Sequence, residues 1–258
     1  MLRLGKDSTM SPQGSRSSGI ARGIPARPKP IGDKKIVALR LVGGAAALWG
    51  LLSLIGVLVT HVLISGRGRS MDRGVDVWFV AHRTVSWNSI TMYGNDLANT
   101  KTVIAVTVVL ALLLRWRLGR WYESGIIVTV MTGEVLVFVA VTLIVHRARP
   151  SVARLDKSPP TSSFPSGHTS AAVALYGCIA ILLLWIHGRS WKTQFAAVVL
   201  FCIPVLVALS RLYRGMHYPS DVLAGALGGG LWLFIVISTL LPQRGNMKFN
   251  NKQPTNLR

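Results

Sequence analysis

Acidic residues are scarce in this sequence: 9 Asp and Glu stand against 29 Lys and Arg, which gives 258 residues a net charge of +20. Cysteine is scarcer, and the spacing of Cys178 and Cys202 predicts neither a disulfide framework nor a zinc site. No strand-like alternation and no internal repeat are visible, which argues against a β-barrel or a solenoid. The scarcity of cysteine excludes a small secreted domain that is held together by disulfides.

Apolar residues, in contrast, are abundant and come in long runs. They make up 50% of the chain, and the mean hydropathy is +0.45. Runs near 20 residues are long enough to cross a bilayer core of about 30 Å. The sequence therefore predicts an all-α polytopic membrane protein, a six-transmembrane-helix bundle, with spans at 41–65, 96–114, 124–145, 168–187, 193–210 and 222–241. The second span is expected to begin near Asn95.

The two ends of the chain differ in composition from the spans. Residues 1–35 are rich in Ser, Gly, Pro, Lys and Arg and predict a disordered basic cytoplasmic tail, and 242–258 predict a second one. Residues 36–241 then form the six-span domain. Placing both termini in the cytoplasm puts 18 of the 29 cations on that side, as the positive-inside rule favours. A plasma-membrane location is expected.

The net charge has two candidate explanations, anionic lipid headgroups and nucleic acid. A nucleic-acid-binding protein needs a folded basic module with interleaved aromatics, and neither tail contains one. Lipid headgroups at the inner face are therefore the expected partners, and no nucleic-acid partner is expected.

Polar residues form three clusters at the span ends that this topology places outside. They are "RARP" at 147–150, "PSGH" at 165–168 and "SRLYRGMHYPSD" at 210–221. Each alone has an ordinary explanation: snorkelling arginines, a turn, or a helix cap. Because antiparallel spans can bring all three to one end of a bundle, their joint chemistry matters more than each cluster alone.

That chemistry suits a phosphoryl group. The guanidiniums of Arg149 and Arg211 can each donate paired hydrogen bonds to a tetrahedral anion. A helix that starts at Ser166 would point the free amides of Gly167 and His168 at the same anion. The Ser166 hydroxyl is expected to donate as well, and Gly167 to leave room for the oxygens.

A nucleophile is available in the third cluster. His217 and Asp221 are four residues apart, so at a helix start they share a face, and the carboxylate can hold one ring nitrogen protonated. The other nitrogen then carries a lone pair that can attack phosphorus. His168 would protonate the departing oxygen.

The order and spacing of the three clusters resemble the type 2 phosphatidic acid phosphatase superfamily. The motifs cover residues 142–221, and the six-span layout extends the resemblance to about 36–241. It implies a membrane phosphatase or phosphotransferase that forms a phosphohistidine and uses neither a metal nor another cofactor. It also implies the site residues: the catalytic set His217, His168 and Asp221, and the substrate-binding set Arg149, Ser166, Gly167 and Arg211.

One position departs from the family pattern. A lysine usually stands seven residues before the arginine of the Arg-Pro pair, and here that residue is Thr142. On a continuous helix Thr142 would lie about 10 Å deeper than Arg149, too deep for a hydroxyl to replace the charge. Arg147 is the candidate substitute, and slower turnover is the expected consequence if it does not compensate.

The segment between the first two spans, 71–99, mixes Trp78 and Trp87 with charges, as interfacial segments do. Interfacial anchoring is the preferred interpretation, and covering the site is the alternative. The expected substrate is a lipid phosphate or pyrophosphate of the polyprenyl pyrophosphate, phosphatidic acid or phosphatidylglycerophosphate type. A phosphotransferase with a lipid or sugar hydroxyl as acceptor, and a non-catalytic lipid-binding or transport protein, remain alternatives.

Overall fold

The computed structural model describes residues 33–62, 67–158 and 160–242, apart from the side chains of residues 62 and 67–69. In these ranges all regular structure is helical and no β-strand occurs, which confirms the predicted all-α class. The predicted tails lie outside the described residues except at their inner ends. There Lys34 already begins the first helix, two residues before the expected boundary at 36, and Pro242 follows the last helix.

Eight α-helices are described: α1 Lys34–Val57, α2 Arg67–Ala81, α3 Val85–Asp96, α4 Thr100–Leu118, α5 Tyr122–Thr142, α6 Gly167–His187, α7 Trp191–Tyr213 and α8 Pro219–Leu240. A π-helical segment, Leu58–Val62, continues α1. Five helices are long and apolar enough to cross a membrane, namely α1, α5, α6, α7 and α8. The pair α3 and α4, bent by 48°, can supply a sixth crossing, so the described chain has five or six candidate spans.

The start predicted for the second span is wrong. The helix does not run on from Asn95, because α3 ends at Asp96 and α4 begins at Thr100. Asn99 caps α4: its Oδ1 accepts a hydrogen bond of 2.9 Å from the amide of Thr102. Three residues of irregular chain therefore separate two helices that differ in direction by 48°.

The ends of the helices define two ends of the bundle. Gly44 of α1 lies beside Ile235 of α8, and Leu52 of α1 lies beside Gly228 of α8, so α1 runs antiparallel to α8. The polar clusters lie at the end where α1 stops and α8 starts, which we term the site end. At the opposite end the indole of Trp185 donates to the carbonyl of Pro242, 3.3 Å away. Both termini of the described chain are therefore at the end opposite the clusters.

Helix α5 is shorter than the sequence predicted. It ends at Thr142, before the predicted end of the span at 145, and the Thr142 hydroxyl donates to the carbonyl of Val139 at 2.8 Å. In the loop between α5 and α6, the described residues 143–158 and 160–166 are irregular and fold back on the site end. The loop is pinned there by the amide of Ser163, which donates to the carbonyl of Arg147 at 2.8 Å.

Helices α6 and α8 approach each other very closely. A Cβ at Gly225 would lie 2.4 Å from the carbonyl oxygen of Ser166, and one at Gly229 would lie 2.4 Å from that of Ser170. Only glycine permits this backbone contact. Because Ser166 precedes the first residue of α6, the contact fixes the start of α6 against the first turns of α8.

The outward faces of the bundle are apolar, as expected in lipid. Leu223 and Phe234 of α8 are 70% and 69% exposed, and Cys202 of α7 is also exposed, whereas Cys178 is buried in α6. Extended apolar patches of this kind mark a membrane-facing surface rather than a water-facing one. Both cysteines are free thiols.

The segment between α1 and α4 covers the site end. Its Trp78 and Trp87 are 55% and 53% exposed, which fits the interfacial interpretation. Its polar side chains, however, reach the clusters: Asp72 of α2 binds Arg147, and Asn95 of α3 binds Arg211. The segment therefore both lies at the interface and covers the site end, which favours the second interpretation over anchoring alone.

Candidate active site

His217 lies in the short turn between α7 and α8. Helix α7 ends at Tyr213, and Gly215, with φ of +71°, lets the chain reverse toward the pocket. The imidazole is 3% exposed, and its Nδ1 lies 2.8 Å from the carbonyl oxygen of Ser163. That carbonyl can only accept, so Nδ1 carries the proton and Nε2 the lone pair.

The environment of His217 keeps the ring neutral. Burial lowers its pKa from the ordinary value of 6.5, and the charges of Arg211 and Arg149 lower it further, against the opposing effect of Asp221. At neutral pH the ring is therefore uncharged, and Nε2 is free to act as a nucleophile.

Asp221 does not hold His217 in the way the spacing suggested. Its Oδ2 lies 3.8 Å from Nδ1 of His217, too far for a hydrogen bond. The carboxylate is fully buried and accepts instead from Arg147, from the Ser163 hydroxyl and, at 3.0 Å, from the amide of Tyr218. The last contact is the reach-back of an acidic residue in the first helical turn, which is why α8 begins where it does.

Arg149 faces the lone-pair side of His217. Its Nη1 donates to the carbonyl of Met216 at 2.9 Å and lies 3.4 Å from Nε2 of His217. Its Nε is buried and has no hydrogen-bond partner within the described residues. Burial, partly offset by the charge of Asp221, lowers the pKa of this guanidinium, because removal from water disfavours its charge. A bound anion would stabilise that charge.

Arg211 stands at the end of α7 with a similar unmet donor. It is 3% exposed, and its Nη1 donates to Oδ1 of Asn95 and, at 3.4 Å, to Asp156. Its Nε, like that of Arg149, has no acceptor in the described part of the chain. Buried donors of this kind cost free energy unless a ligand satisfies them. The two unmet N–H groups therefore mark a binding site for an acceptor such as phosphate.

The turn at 165–168 contributes backbone more than side chain. Ser166 is fully buried, its hydroxyl pairs with that of Thr169 at 3.0 Å, and its amide donates to the carbonyl of Asp221 at 2.9 Å. The Ser166 hydroxyl is thus paired within the protein, and its expected hydrogen bond to a phosphate stays a prediction. The first helical hydrogen bond of α6 is donated by the amide of Ser170. The amide of Gly167 comes before it in the chain and therefore has no acceptor within the helix.

Gly167 is required by packing as well. A Cβ at this position would lie 2.8 Å from the ring of Phe138 on α5. Packing of α6 against α5 therefore favours the glycine, and its expected closeness to phosphate oxygens stays a prediction. His168 follows it, half-buried, and interacts electrostatically with Arg211, His217 and Arg149. The structure thus brings the ends of three separate clusters into one pocket.

Arg147, the candidate substitute for the missing family lysine, is engaged by carboxylates. Helix α5 ends at Thr142, so no continuous helix joins Thr142 to Arg149. Arg147 is 6% exposed, and its two terminal nitrogens bind Asp221 and, at 2.8 Å, Asp72. Its charge is therefore paired in this arrangement, and its compensation for the lysine stays a prediction.

Sequence reasoning missed several residues that hold the site together. They are Asp72, Asn95, Asp156, Ser163 and Arg214. Asp156 binds Arg214 through both oxygens at 2.6 and 2.7 Å and reaches Arg211 as well. One signal could have found the acids: with 9 acidic residues in the whole chain, any that fall on an arginine-rich face are candidates for buried ion pairs.

The pocket offers cationic donors and imidazoles. In the ranges that the structure describes, no three His, Cys, Asp or Glu side chains come together as metal ligands would. The groups able to bind an anion here are the guanidiniums of Arg149 and Arg211 and the start of α6.

Known proteins resemble this chain in both sequence and fold. An undecaprenyl-diphosphatase from Sulfolobus acidocaldarius is 25% identical over 197 residues, 73% of this chain and 89% of that protein. Phosphatidylglycerophosphatase B from Bacillus subtilis is 37% identical over 93 residues, 36% of this chain and 45% of that protein. The crystal structure of a transmembrane PAP2-type phosphatidylglycerolphosphate phosphatase from Bacillus subtilis has a TM-score of 0.66 at 23% identity, covering 75% of this chain and 94% of that one.

A family model supports the same relationship. The model of the PAP2 superfamily matches residues 103–244, a stretch that contains all three motifs and more than half of the chain. The resemblance predicted from the motifs is thereby confirmed. The chain belongs to the PAP2 superfamily.

Proposed function

We propose that this protein is an integral membrane phosphatase that hydrolyses a lipid phosphate or pyrophosphate through a phosphohistidine. The observation that carries the proposal is the state of His217: Nδ1 is committed to the Ser163 carbonyl, and Nε2 faces Arg149 at 3.4 Å. A phosphoryl group bound by Arg149 would lie against the nitrogen that carries the lone pair.

In the first step, Nε2 of His217 attacks phosphorus and the bond from phosphorus to the leaving oxygen breaks. Arg149 and Arg211 bind the equatorial oxygens, and the unmet Nε of each finds its acceptor. His168, on the other side of the pocket, donates the proton that the departing oxygen takes. In the second step, water gives a proton to His168 and attacks the phosphohistidine, which releases inorganic phosphate and restores His217.

The lipid character of the substrate follows from where the pocket lies. The site is at one end of a bundle of membrane-spanning helices, so a substrate with its tail in the bilayer would present its phosphate at this level. The names of the relatives support polyprenyl pyrophosphate and phosphatidylglycerophosphate as substrates. We infer a plasma-membrane protein with both termini in the cytoplasm and the site on the extracytoplasmic face.

The test uses the full chain, purified in detergent with a chelator, and a panel of polyprenyl pyrophosphate, phosphatidic acid and phosphatidylglycerophosphate. Phosphate release is expected from the intact protein and from His187→Ala, whose exposed histidine lies at the end opposite the site. His217→Ala is expected to release none. Undiminished release from His217→Ala, or release that disappears with the chelator, would contradict the mechanism.

A transfer assay separates hydrolysis from phosphotransfer. Lipid and sugar alcohols are added to the same reactions, and phosphorylated products are measured beside free phosphate. Free phosphate as the main product supports the phosphatase. Phosphorylated alcohols as the main product would make the chain a phosphotransferase, and no product from any substrate would favour a non-catalytic lipid-binding protein.

A further inference from the structure

A line of polar contacts runs from Asp72, a partly buried residue of α2, to the buried ring of His217. It starts at Asp72, whose Oδ2 accepts from Nη2 of Arg147 at 2.8 Å. Nη1 of Arg147 donates to Oδ1 of Asp221, and Oδ2 of Asp221 accepts from the hydroxyl of Ser163. The carbonyl of the same serine accepts from Nδ1 of His217 at 2.8 Å.

Asp221 is held away from His217 by these partners. Arg147 occupies one carboxylate oxygen, and the Ser163 hydroxyl and the Tyr218 amide occupy the other. The 3.8 Å between Oδ2 of Asp221 and Nδ1 of His217 is the result, and the ring is oriented by a neutral carbonyl instead of a carboxylate. A partner that orients the second ring nitrogen decides which nitrogen is free to react.

Arg147 can hold Asp221 in this way because it is itself fixed on three sides. Asp72 binds its Nη2, the Ser220 hydroxyl accepts from Nη1 at 2.8 Å, and the Tyr218 ring centroid lies 4.3 Å from its Cζ. Asp72 also accepts from the amide and hydroxyl of Ser220, at 3.2 and 2.5 Å. A lysine could not make these contacts, because it lacks the two parallel N–H donors of the guanidinium.

We propose that Asp72 and Arg147 are positioning residues for His217, acting through Asp221 and Ser163, and that α2 is therefore part of the catalytic unit. This inference rests on the proposed function for its kinetic consequence. Its physical content, the coupling of Asp72 to the state of His217, does not depend on catalysis.

Opposite charge changes at the two positions give opposite effects on the ring. In Arg147→Gln the freed Asp221 carboxylate can approach Nδ1, which favours the imidazolium and raises the pKa of His217. In Asp72→Asn the positive charge of Arg147 is less neutralised, which lowers the pKa of His217.

Other charged and titratable groups also face His217, and they are the same in both variants. They are Arg149 between α5 and α6, His168 of α6, and Arg211 of α7.

The test combines a spectroscopic titration with kinetics on the full chain in detergent. Histidine-labelled protein is titrated by NMR, and the His217 resonance is identified by its loss in His217→Gln. The expected result is a midpoint that rises in Arg147→Gln and falls in Asp72→Asn. Both variants should lose roughly 10- to 100-fold in kcat for phosphate release with KM changed less than about threefold, as misplacement of a reacting group predicts.

Controls separate positioning from loss of the fold. Asp72→Glu keeps the carboxylate and is expected to restore part of kcat, and Asp33→Asn makes the same charge change at the opposite end of the bundle and is expected to change neither readout. Midpoints that stay unchanged, or that move in the same direction in both variants, overturn the proposal. If the intact protein releases no phosphate, the proposed function fails, whereas the NMR midpoints still decide whether Asp72 and Arg147 act on His217.

Discussion

Nη1 of Arg149 lies 3.4 Å from Nε2 of His217, and the same nitrogen donates to the carbonyl of Met216 at 2.9 Å. The guanidinium is thus fixed to the turn that carries the nucleophile. An anion bound by Arg149 is placed at the reacting nitrogen by the same contact, so binding and orientation of the phosphoryl group are one event.

The first prediction is that Arg149→Lys lowers kcat far more than it weakens binding. Lysine keeps a positive charge but cannot bind Met216 and a phosphate oxygen with a planar fork. Loss of one such donor costs on the order of 3–4 kcal/mol in the transition state, or about 100- to 1,000-fold in kcat. Steady-state phosphate release measures this, with Arg154→Lys, an exposed arginine of the same loop, as control. Equal losses of kcat in the two variants would contradict a role for Arg149 in binding the phosphoryl group.

Asp156→Asn is predicted to tighten the binding of inorganic phosphate and to destabilise the protein. Burial raises the pKa of Asp156, but the hydrogen bond and charge of Arg214, with the charge of Arg211, lower the pKa by more. The residue is therefore a carboxylate, and it competes with phosphate for Arg211. Removing it also leaves Arg214, 6% exposed, without its bidentate partner, which costs about 3–5 kcal/mol for a buried pair. Product-inhibition kinetics should give a Ki for phosphate several-fold lower, and calorimetry a lower Tm. A Ki that rises would contradict the competition.

Acidification is predicted to remove both activity and stability through His217. Its pKa is lowered in the folded protein, so the unfolded chain takes up a proton at a higher pH than the folded one. The stabilisation from the neutral ring is therefore fully present above the ordinary value of 6.5 and is lost as pH falls through the lowered pKa. The Tm of the intact protein should fall more steeply below pH 6.5 than that of His217→Gln, and kcat/KM should fall at the lower pH where the folded ring itself takes up a proton. Parallel Tm curves would contradict this.

Asp76 is predicted to have the opposite pH dependence. It is 1% exposed on α2, neither carboxylate oxygen has a hydrogen-bond partner in the described part of the chain, and burial, together with the charges of Asp72 and Asp221, raises its pKa to about 7. Its contribution to stability is thus present at low pH and is lost as pH rises toward about 7.

The Asp76→Asn variant removes that dependence. Between pH 5.5 and 7.5 its Tm should decline less, or rise more, than that of the intact protein, by about 2–4 °C for each kcal/mol of free energy involved. Thermal unfolding at the two pH values measures the difference, with Asp33→Asn as an exposed control. An identical pH response in the intact protein and Asp76→Asn would show that the carboxyl finds a partner.

Gly225→Ala is predicted to destabilise the protein and to slow catalysis. The added Cβ would lie 2.4 Å from the carbonyl oxygen of Ser166, so α6 and α8 must separate, at a cost of typically about 1–3 kcal/mol. Gly50→Ala on α1 is the matched control, because a Cβ there meets nothing within 4 Å and alanine favours a helix. Thermal unfolding and phosphate release compare the two. A Gly225→Ala variant as stable as Gly50→Ala would contradict the close contact.

The sequence predicted those parts of the molecule that depend on local pattern. Long apolar runs gave the spans after the first to within a few residues, because a bilayer demands about 20 apolar residues whatever the rest of the fold does. The first helix begins at Lys34, well before the predicted 41. The motif order led to the right family, and the three clusters do meet. The bend before Thr100 and the end of α5 at Thr142 were missed, since both depend on a cap or on tertiary contacts that no hydropathy pattern contains.

Within the site, sequence reasoning found residue types but not their partners. A spacing of four suggested that Asp221 holds His217, whereas the carboxylate is occupied by Arg147, which in turn depends on Asp72 more than 70 residues away in the sequence. Ser166 was expected to face the ligand and is fully buried. Contacts between distant segments decide such roles, and a single sequence does not encode them as a visible pattern.

Asp33 and Pro242 leave the bundle at the end opposite His217, and α6 alone, with 21 residues, separates the two ends by about 30 Å. A protein that bound where α1 begins or α8 ends would therefore contact the end of the bundle opposite the site. It could not compete with the substrate for the arginines. Any influence it had on turnover would have to pass through the helices themselves.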